Sequence, residues 1–251
     1  MVRRYLVSSQ GNHKDGLTSA LSLYRECGGG KHLYFHIPSY NQLDVGNVVF
    51  EVLGKQTCKD LRDGQRVRLS PAHSISVITD LNFNLRHTND VVMSVYPTSK
   101  GIALINDTKN AHAIIVVPWT MNEDVLKWQR AWTPTIIGDT TMTIEQLDLD
   151  PVIMDFLRRL TESANLSTGL VHPSDRNSAI ELFQILRNDG ITYDSAMVEA
   201  WAIKNGWNAG GAKDLALVAK EIADGKKLRT SNNGSSWKTN ILDEIRTELD
   251  K

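Results

Sequence analysis

The longest uninterrupted apolar run in this 251-residue chain extends from Ala113 to Trp119. Its first five residues are apolar at every position, four of them are β-branched, and Pro118 follows them. A strand that is apolar on both faces has to be covered on both faces, which is typical of the centre of a parallel sheet. The run is also far too short to span a membrane. It therefore predicts a central strand of an α/β fold, and we expect no membrane partner.

Short strands alternate with helices around this run, from the N-terminus to about residue 140. The strands are predicted at residues 4–9, 32–37, 66–69, 75–79, 91–96, 112–118 and 135–138. The helices between them are predicted at residues 17–27, 43–61 and 102–106, and from residue 122 onward. This alternation implies right-handed crossovers and a mainly parallel sheet with helices on both faces. Whether the strand order is Rossmann-like or flavodoxin-like stays open.

The second predicted strand has one apolar and one more polar face. Leu33, Phe35 and Ile37 alternate with residues that include His32 and His36. A strand with a wettable face is typical of a sheet edge, so both histidines are expected on the surface. They lie about 13 Å apart along an extended chain and cannot share a metal ion. No other histidine, cysteine and carboxylate residues in the sequence have the spacing of a zinc site, so no metal site is predicted.

From residue 145 to residue 251 the apolar periodicity is helical. Helices are predicted at residues 147–160, from 173 to a stop at 188–190, and at 194–205, 208–224 and 237–249, with a polar connector at 231–236. Two of these helices begin at a capping residue and end before a glycine. One is delimited by Asp194 and Gly206, the other by Asn208 and Gly225. The chain is therefore divided into a Rossmann-like α/β domain, residues 1–140, and a helical domain, residues 145–251.

Composition excludes several classes of protein. The net charge is −1 and 23% of residues are charged, so no whole-molecule field attracts nucleic acid or an anionic membrane. The N-terminus lacks the apolar stretch of a signal peptide. Cys27 and Cys58 fall in predicted helices, where two reduced thiols are favoured over a disulfide. A cytoplasmic location is the expectation.

Polar side chains are concentrated in the loops that follow the predicted strands. In an open parallel sheet these loops lie at the carboxyl ends of the strands, beside helix N-termini that favour anions. The candidate ligand-binding residues in them are Ser8, Ser9, Asn12, Ser39, Thr98, Ser99, Lys100 and Trp119. The leading hypothesis is a sensor or regulatory protein that holds a nucleotide or other phosphorylated small molecule at this edge. Solvated turns explain the same composition, and no phosphate-binding glycine motif or named cofactor is indicated.

An enzyme acting on a nucleotide or phosphorylated metabolite is the first alternative. His13 is then the general base, oriented by Glu123 and assisted by Lys14. The competing interpretation is an ordinary loop histidine and a helix-start carboxylate. For Trp119, packing at the edge of the core is favoured over stacking on a ligand base.

A DNA-binding or adaptor protein is the second alternative. The spacing of Ala202, Gly206 and Ala212 resembles a helix-turn-helix. Basic residues exceed acidic ones by four between residues 200 and 239, and the candidate DNA contacts among them are Lys213, Lys226, Lys227 and Arg229. The predicted reading helix opens Ala209-Gly210-Gly211 and offers few groups for a base edge, which disfavours this alternative.

Overall fold

The computed structural model describes residues 2–8, 11–138, 146–166, 168–230 and 237–250. The chain consists of two compact units, Met1–Glu145 and Gln146–Lys251. The candidate ligand residue Ser9 and the predicted connector at residues 231–236 lie outside the described residues.

The first unit contains a seven-stranded sheet. Its strands are Arg3–Ser8 (β1), Leu33–Ile37 (β2), Val67–Arg68 (β3), Ser74–Thr79 (β4), Val91–Val95 (β5), Ala113–Val117 (β6) and Thr135–Gly138 (β7). Their order in the sheet is β3-β4-β2-β5-β6-β1-β7. All the pairings between these strands are parallel except that of β3 with β4. The mainly parallel sheet is confirmed, with β6 buried between β5 and β1 as its apolar run predicts.

Helices cover both faces of this sheet, as the sequence predicts. They are His13–Cys27 (α1), Val48–Leu53 (α2), Lys55–Arg62 (α3), Ser99–Asn106 (α4) and Glu123–Trp132 (α5). On one face α1, α2 and α3 bury Leu17, Val49 and Leu61 against the strands. On the other face α4 and α5 bury Ile102 and Trp128. The sheet is therefore sandwiched between two helical layers with separate apolar cores.

The predicted helix at residues 43–61 is divided in the structure. A 3₁₀ turn, Tyr40–Leu43, precedes α2, and α2 ends at Gly54 before α3 begins. Gly54 has a φ of +81°, a conformation that glycine adopts without steric cost. The apolar periodicity continues across this glycine, so it could not reveal the break.

Strand β2 lies between β4 and β5, near the middle of the sheet. The prediction of an edge strand with surface histidines was therefore wrong. His32 is 7% exposed and His36 is entirely buried. Both imidazoles are hydrogen-bonded, His32 to Ser74 and His36 to Ser94 and Asp80. A polar face can be buried when each polar atom finds a partner, and these partners are distant in sequence.

The two outer strands of the sheet are short. β3 has two residues and β7 has four. At the end of β7, Gly138 has a φ of +100°, and a Cβ atom there would lie 2.4 Å from the Ser8 carbonyl oxygen. Only glycine fits this close pairing with β1.

The second unit is helical over the residues described. Its helices are Pro151–Ser163 (α6), Pro173–Asn188 (α7), Ser195–Lys204 (α8), Ala209–Ala223 (α9) and Ile241–Leu249 (α10), with a 3₁₀ turn at Gly169–Val171. The predicted caps are confirmed: Asp194 accepts from the Ala196 amide and Asn208 from the Gly211 amide. None of the helices in the described parts of either unit has the length and hydropathy of a membrane span.

Candidate ligand site at the carboxyl edge of the sheet

Three helices begin where three neighbouring strands end. α1 follows β1, α4 follows β5 and α5 follows β6, so their N-termini lie at the carboxyl edge of the sheet. Asn12, Thr98 and Asn122 cap them, each accepting a hydrogen bond from one amide of the first turn. The first two amides of each helix have no intrahelical partner and point outward. The edge therefore presents unsatisfied backbone donors at three adjacent places.

The charges at these three helix starts differ. α5 begins with Glu123 and Asp124, and α1 carries Asp15 in its first turn. α4 has no acidic residue in its first turn and begins with Ser99 and Lys100. Lys100 is exposed and forms no ion pair within the described part of the chain. Of the three helices, α4 is the one without a carboxylate in its own first turn, although Asp80 accepts from Thr98 and Asp124 accepts from Ser99 at its start.

An aromatic cluster lies beside these helix starts. The His13 and Trp119 rings are stacked, with centroids 3.6 Å apart and planes 16° apart. Tyr96 contacts both rings edge-on, at centroid distances of 5.8 Å from His13 and 5.0 Å from Trp119. Trp119 is nevertheless 53% exposed. Its contact with His13 leaves much of the indole open to solvent and to a ligand.

Tyr96 has an unfavourable backbone conformation. Its φ is +53°, and it precedes Pro97, which normally restricts the residue before it to extended conformations. The Tyr96 amide donates to the Val117 carbonyl at 2.7 Å, which holds the backbone between β5 and β6. Burial raises the pKa of Tyr96 to about 12, so its hydroxyl stays protonated at neutral pH. Strain of this kind is concentrated at functional sites.

A chain of buried hydrogen bonds connects β5, β2 and the start of α4. The His36 Nδ1 atom lies 2.7 Å from Ser94 Oγ, and its Nε2 atom lies 2.9 Å from Asp80 Oδ1. Thr98 Oγ1 donates to Asp80 Oδ2 at 2.7 Å. Burial lowers the pKa of His36, and Asp80 partly opposes this effect. A neutral His36 fits this arrangement, accepting from Ser94 and donating to Asp80.

This chain combines serine, histidine and aspartate, but it is not arranged for nucleophilic catalysis. Ser94 is entirely buried in β5 and cannot reach a substrate. The chain instead fixes Thr98, the N-cap of α4. Gly101 makes this possible, because a Cβ atom there would lie 2.8 Å from His36 Cε1 and 3.2 Å from Asp80 Oδ1. His36, Asp80 and Ser94 are therefore positioning residues.

The structure places most of the predicted ligand residues at this edge. Asn12, Thr98, Ser99, Lys100 and Trp119 lie at the starts of α1 and α4 and after β6, and the Ser99 hydroxyl donates to Asp124. The remaining two described candidates are Ser8 and Ser39. Ser8 is the half-buried last residue of β1, and Ser39 is exposed after β2 and caps no amide with its side chain.

The three predicted catalytic residues have different neighbours. Lys14 Nζ lies 3.6 Å from Glu51 Oε2, and Glu123 Oε1 lies 3.2 Å from Lys127 Nζ. The His13 Nδ1 atom is buried and has no hydrogen-bond partner among the described residues. Its neighbours are aromatic, so the orienting carboxylate that a general base needs is not supplied by Glu123.

Sequence patterns did not mark His36, Asp80, Ser94 or Tyr96 as site residues. His36 was expected on the surface, whereas the structure buries it against Asp80 and Ser94. Within the described ranges, no group of three or more histidine, cysteine, aspartate or glutamate side chains could hold a metal ion.

The predicted helix-turn-helix corresponds to α8, a turn at residues 205–208 and α9. The start of α9 is covered, since a Cβ atom on Gly211 would lie 2.8 Å from the Gly169 Cα atom. Lys226 pairs with Glu221 at 3.0 Å. The other predicted DNA contacts, Lys213, Lys227 and Arg229, are exposed. The beginning of α9, which a reading helix presents to bases, is therefore partly occupied by the chain itself.

Comparison with known families finds a domain of unknown function, DUF1889, whose match extends over residues 149–246. The match lies within the helical unit and includes α6 to α9 and part of α10. No curated protein sequence matches this chain. No solved structure matches it either.

Proposed function

We propose that the α/β unit binds a nucleotide or other phosphorylated small molecule at the carboxyl edge of its sheet, as a sensor or regulatory protein. The observation that carries this proposal is the start of α4, whose own first turn has no acidic residue, together with the exposed indole of Trp119. Tyr96 connects the two, since its ring contacts Trp119 and its backbone precedes the α4 cap by two residues.

The start of α4 supplies the contacts that a phosphate needs. The amides of Ser99 and Lys100 are the first two of the helix, and the Thr98 hydroxyl is already held by Asp80 and by the Gly101 amide. A phosphate placed there accepts from backbone amides and lies at the positive end of the helix dipole. The ammonium group of Lys100 adds one formal positive charge on a flexible stem.

Trp119 supplies a surface for a base or another flat ring. His13 covers part of the indole and holds its orientation, and the remaining half is accessible. Stacking of a base on an aromatic side chain contributes about 1–3 kcal/mol and tolerates different bases. A nucleotide with its phosphate at α4 and its base on Trp119 uses both features.

A binding function is favoured over an enzymatic one for two reasons. His13, the candidate base, is surrounded by aromatic rings and is not paired with a carboxylate. Ser94, the candidate nucleophile of the buried chain, is inaccessible. A cytoplasmic location belongs to the same proposal and is supported by the free thiols of Cys27 and Cys58.

Isothermal titration calorimetry with the full chain tests the proposal, using nucleoside mono-, di- and triphosphates and sugar phosphates. We expect Trp119→Ala to weaken binding of a nucleotide by about 5- to 150-fold, which is the loss of one stacked base. Lys100→Gln is expected to weaken it by a few-fold, as for one exposed charge at a helix N-terminus. Lys59→Gln, an exposed lysine in α3, is the charge-matched control.

Two results would contradict the proposal. One is the absence of saturable binding across the whole panel. The other is binding that Trp119→Ala and Lys100→Gln leave at the wild-type affinity. Recovery of the bound ligand at its original mass is the expected outcome of prolonged incubation, and a product of new mass supports the enzymatic alternative instead.

For the helical unit, DNA contact is the second candidate function, based on the exposed side chains of Lys213, Lys227 and Arg229. It predicts retention on DNA that weakens with salt, because phosphate contacts release counterions. Lys227→Glu combined with Arg229→Glu is expected to abolish this retention. Failure of the wild-type chain to bind DNA at low ionic strength removes the candidate.

A further inference from the structure

A polar cavity lies at the amino-terminal end of the strands, opposite the candidate ligand site. It has a volume of about 260 Å³ and is enclosed by the β3–β4 hairpin and by Gly30, which precedes β2. The residues that line it include Arg66, Arg68, Ser70 and His73. This volume is just below the range of drug-sized ligand pockets, so the cavity suits a small ligand.

The cavity has an excess of positive charge. Neither Arg66 nor Arg68 forms an ion pair with any residue that the structure describes. The neighbouring carboxylate, Asp90, accepts instead from the His32 backbone amide at 3.1 Å. Two arginines therefore line the same cavity, and neither has a carboxylate partner among the described residues. Guanidinium is the side-chain group best matched to a phosphate or carboxylate in geometry.

One hydrogen bond holds Arg66 in place, and its terminal nitrogens have no partner among the described residues. Its Nε atom donates to Ser74 Oγ at 2.9 Å. The Ser74 hydroxyl also lies 2.8 Å from His32 Nδ1. Burial and the charge of Arg66 lower the pKa of His32, and the charge of Asp90 partly opposes this effect. The terminal nitrogens of Arg66 remain available to a ligand.

His73 adds a buried polar atom without a partner. Its Nδ1 atom lies 2.9 Å from Ser70 Oγ across the hairpin turn. Its Nε2 atom is buried and has no hydrogen-bond partner among the described residues. Leaving such an atom unsatisfied costs free energy, and a bound acceptor removes this cost. His73 lines the same cavity as the two arginines.

We propose that this cavity binds a phosphoryl group, as inorganic phosphate or a small phosphate monoester. Arg66 and Arg68 supply the charge, and Ser70 and His73 supply further hydrogen-bonding groups. The site is separate from the carboxyl edge and does not depend on the function proposed there. The two sites share no lining residue.

Calorimetric titration of the full chain with inorganic phosphate at low ionic strength tests this site, with methyl phosphate as a second titrant. We expect saturable binding that weakens at least about tenfold in Arg68→Gln and in Arg66→Gln, since each variant removes a charged hydrogen-bond donor. Arg66→Lys keeps the charge but loses the bond to Ser74, and an intermediate affinity is expected. Binding of methyl phosphate shows that the cavity accepts an ester, whereas binding of phosphate alone restricts it to the free ion.

Arg176→Gln is the control for net charge, because it removes one exposed arginine from the helical unit. Trp119→Ala is the control for the carboxyl edge and is expected to bind phosphate as the wild type does. Circular dichroism checks that each variant is folded; Arg68 is exposed on a two-residue edge strand, so Arg68→Gln retains the fold. Equal affinities for wild type, Arg66→Gln and Arg68→Gln, equal weakening in Arg176→Gln, or no saturable binding would each overturn the proposal.

Discussion

The two ends of β2 carry the same side chain in different electrostatic surroundings. His36 at the carboxyl end lies against Asp80, and His32 at the amino end lies near both Arg66 and Asp90. Burial lowers the pKa of both imidazoles. Asp80 opposes this effect for His36, whereas for His32 the charge of Arg66 adds to it and the charge of Asp90 opposes it. One buried strand thus places a neutral histidine near each of its two ends. The group proposed to bind an anion differs between the two ends.

The two proposed sites differ in the source of their positive potential. At the carboxyl edge the positive potential comes from backbone amides at helix starts, and carboxylates at α1 and α5 already use part of it. At the amino edge it comes from two guanidinium groups without carboxylate partners among the described residues. The first edge depends on backbone positions that packing fixes, whereas the second depends on side-chain charge.

Gly101→Val gives the largest expected effect, because it disrupts the packing that holds the carboxyl edge. The added atoms meet His36, which is held on both sides by hydrogen bonds and cannot move aside. Overpacking of this kind costs about 1–3 kcal/mol, and we expect the upper part of this range in urea denaturation. Ala103→Val, at a half-buried position of the same helix, is the control. Equal stability of the two variants would show that α4 is free to shift.

A pH dependence of stability is the next largest effect. Both buried histidines have lowered pKa values when folded, so below about pH 6.5 the unfolded chain binds more protons than the folded chain. The free energy of unfolding therefore falls as the pH decreases from about 7.5 to 5.5, by at most about 1.4 kcal/mol per pH unit for each histidine.

Urea titrations at several pH values measure this slope. His32→Gln retains a hydrogen-bonding side chain beside Ser74 and removes one of the two titrating groups. We expect the variant to show a smaller decrease over the same pH interval. An unchanged slope would mean that His32 has the same pKa in the folded and the unfolded chain.

The smallest effect, and the most direct test of the comparison, is a pair of opposite changes in histidine pKa. Asp80→Asn removes the charge that raises the pKa of His36, so that pKa falls further. Arg66→Gln removes a charge that lowers the pKa of His32, so that pKa rises. Nitrogen-15 NMR titration of the imidazoles measures both, and each variant is the control for the other histidine. Changes of the same sign would break the comparison.

The sequence predicted the layered α/β architecture because its signals are local. The apolar run of β6, the alternation of strands and helices, and the polar loops at strand ends all lie within short windows. The predicted starts of two helices were less accurate. α1 begins at His13 rather than residue 17, and α4 at Ser99 rather than residue 102, because polar residues after Asn12 and Thr98 concealed the first turns.

The buried network at the carboxyl edge could not be predicted in the same way. His36 is 58 residues from Ser94 and 44 from Asp80, so nothing near it in sequence marks it as buried. Its alternation with apolar neighbours is the pattern of a solvent-exposed face. The sequence likewise did not indicate a site at the arginines of the β3–β4 hairpin, because the cavity that they line forms only when the hairpin packs against Gly30.

The short outer strands have a consequence for crowded or partly unfolded states of the protein. An edge strand can recruit another chain through its unpaired backbone groups, and long flat edges lead to aggregation. Here β3 offers two residues, and β7 is preceded by Pro134 and ends at a glycine with positive φ. The continuous, strongly β-prone segment of β6 lies two strands inward from β7, where it is shielded from intermolecular pairing as long as β1 and β7 stay in place.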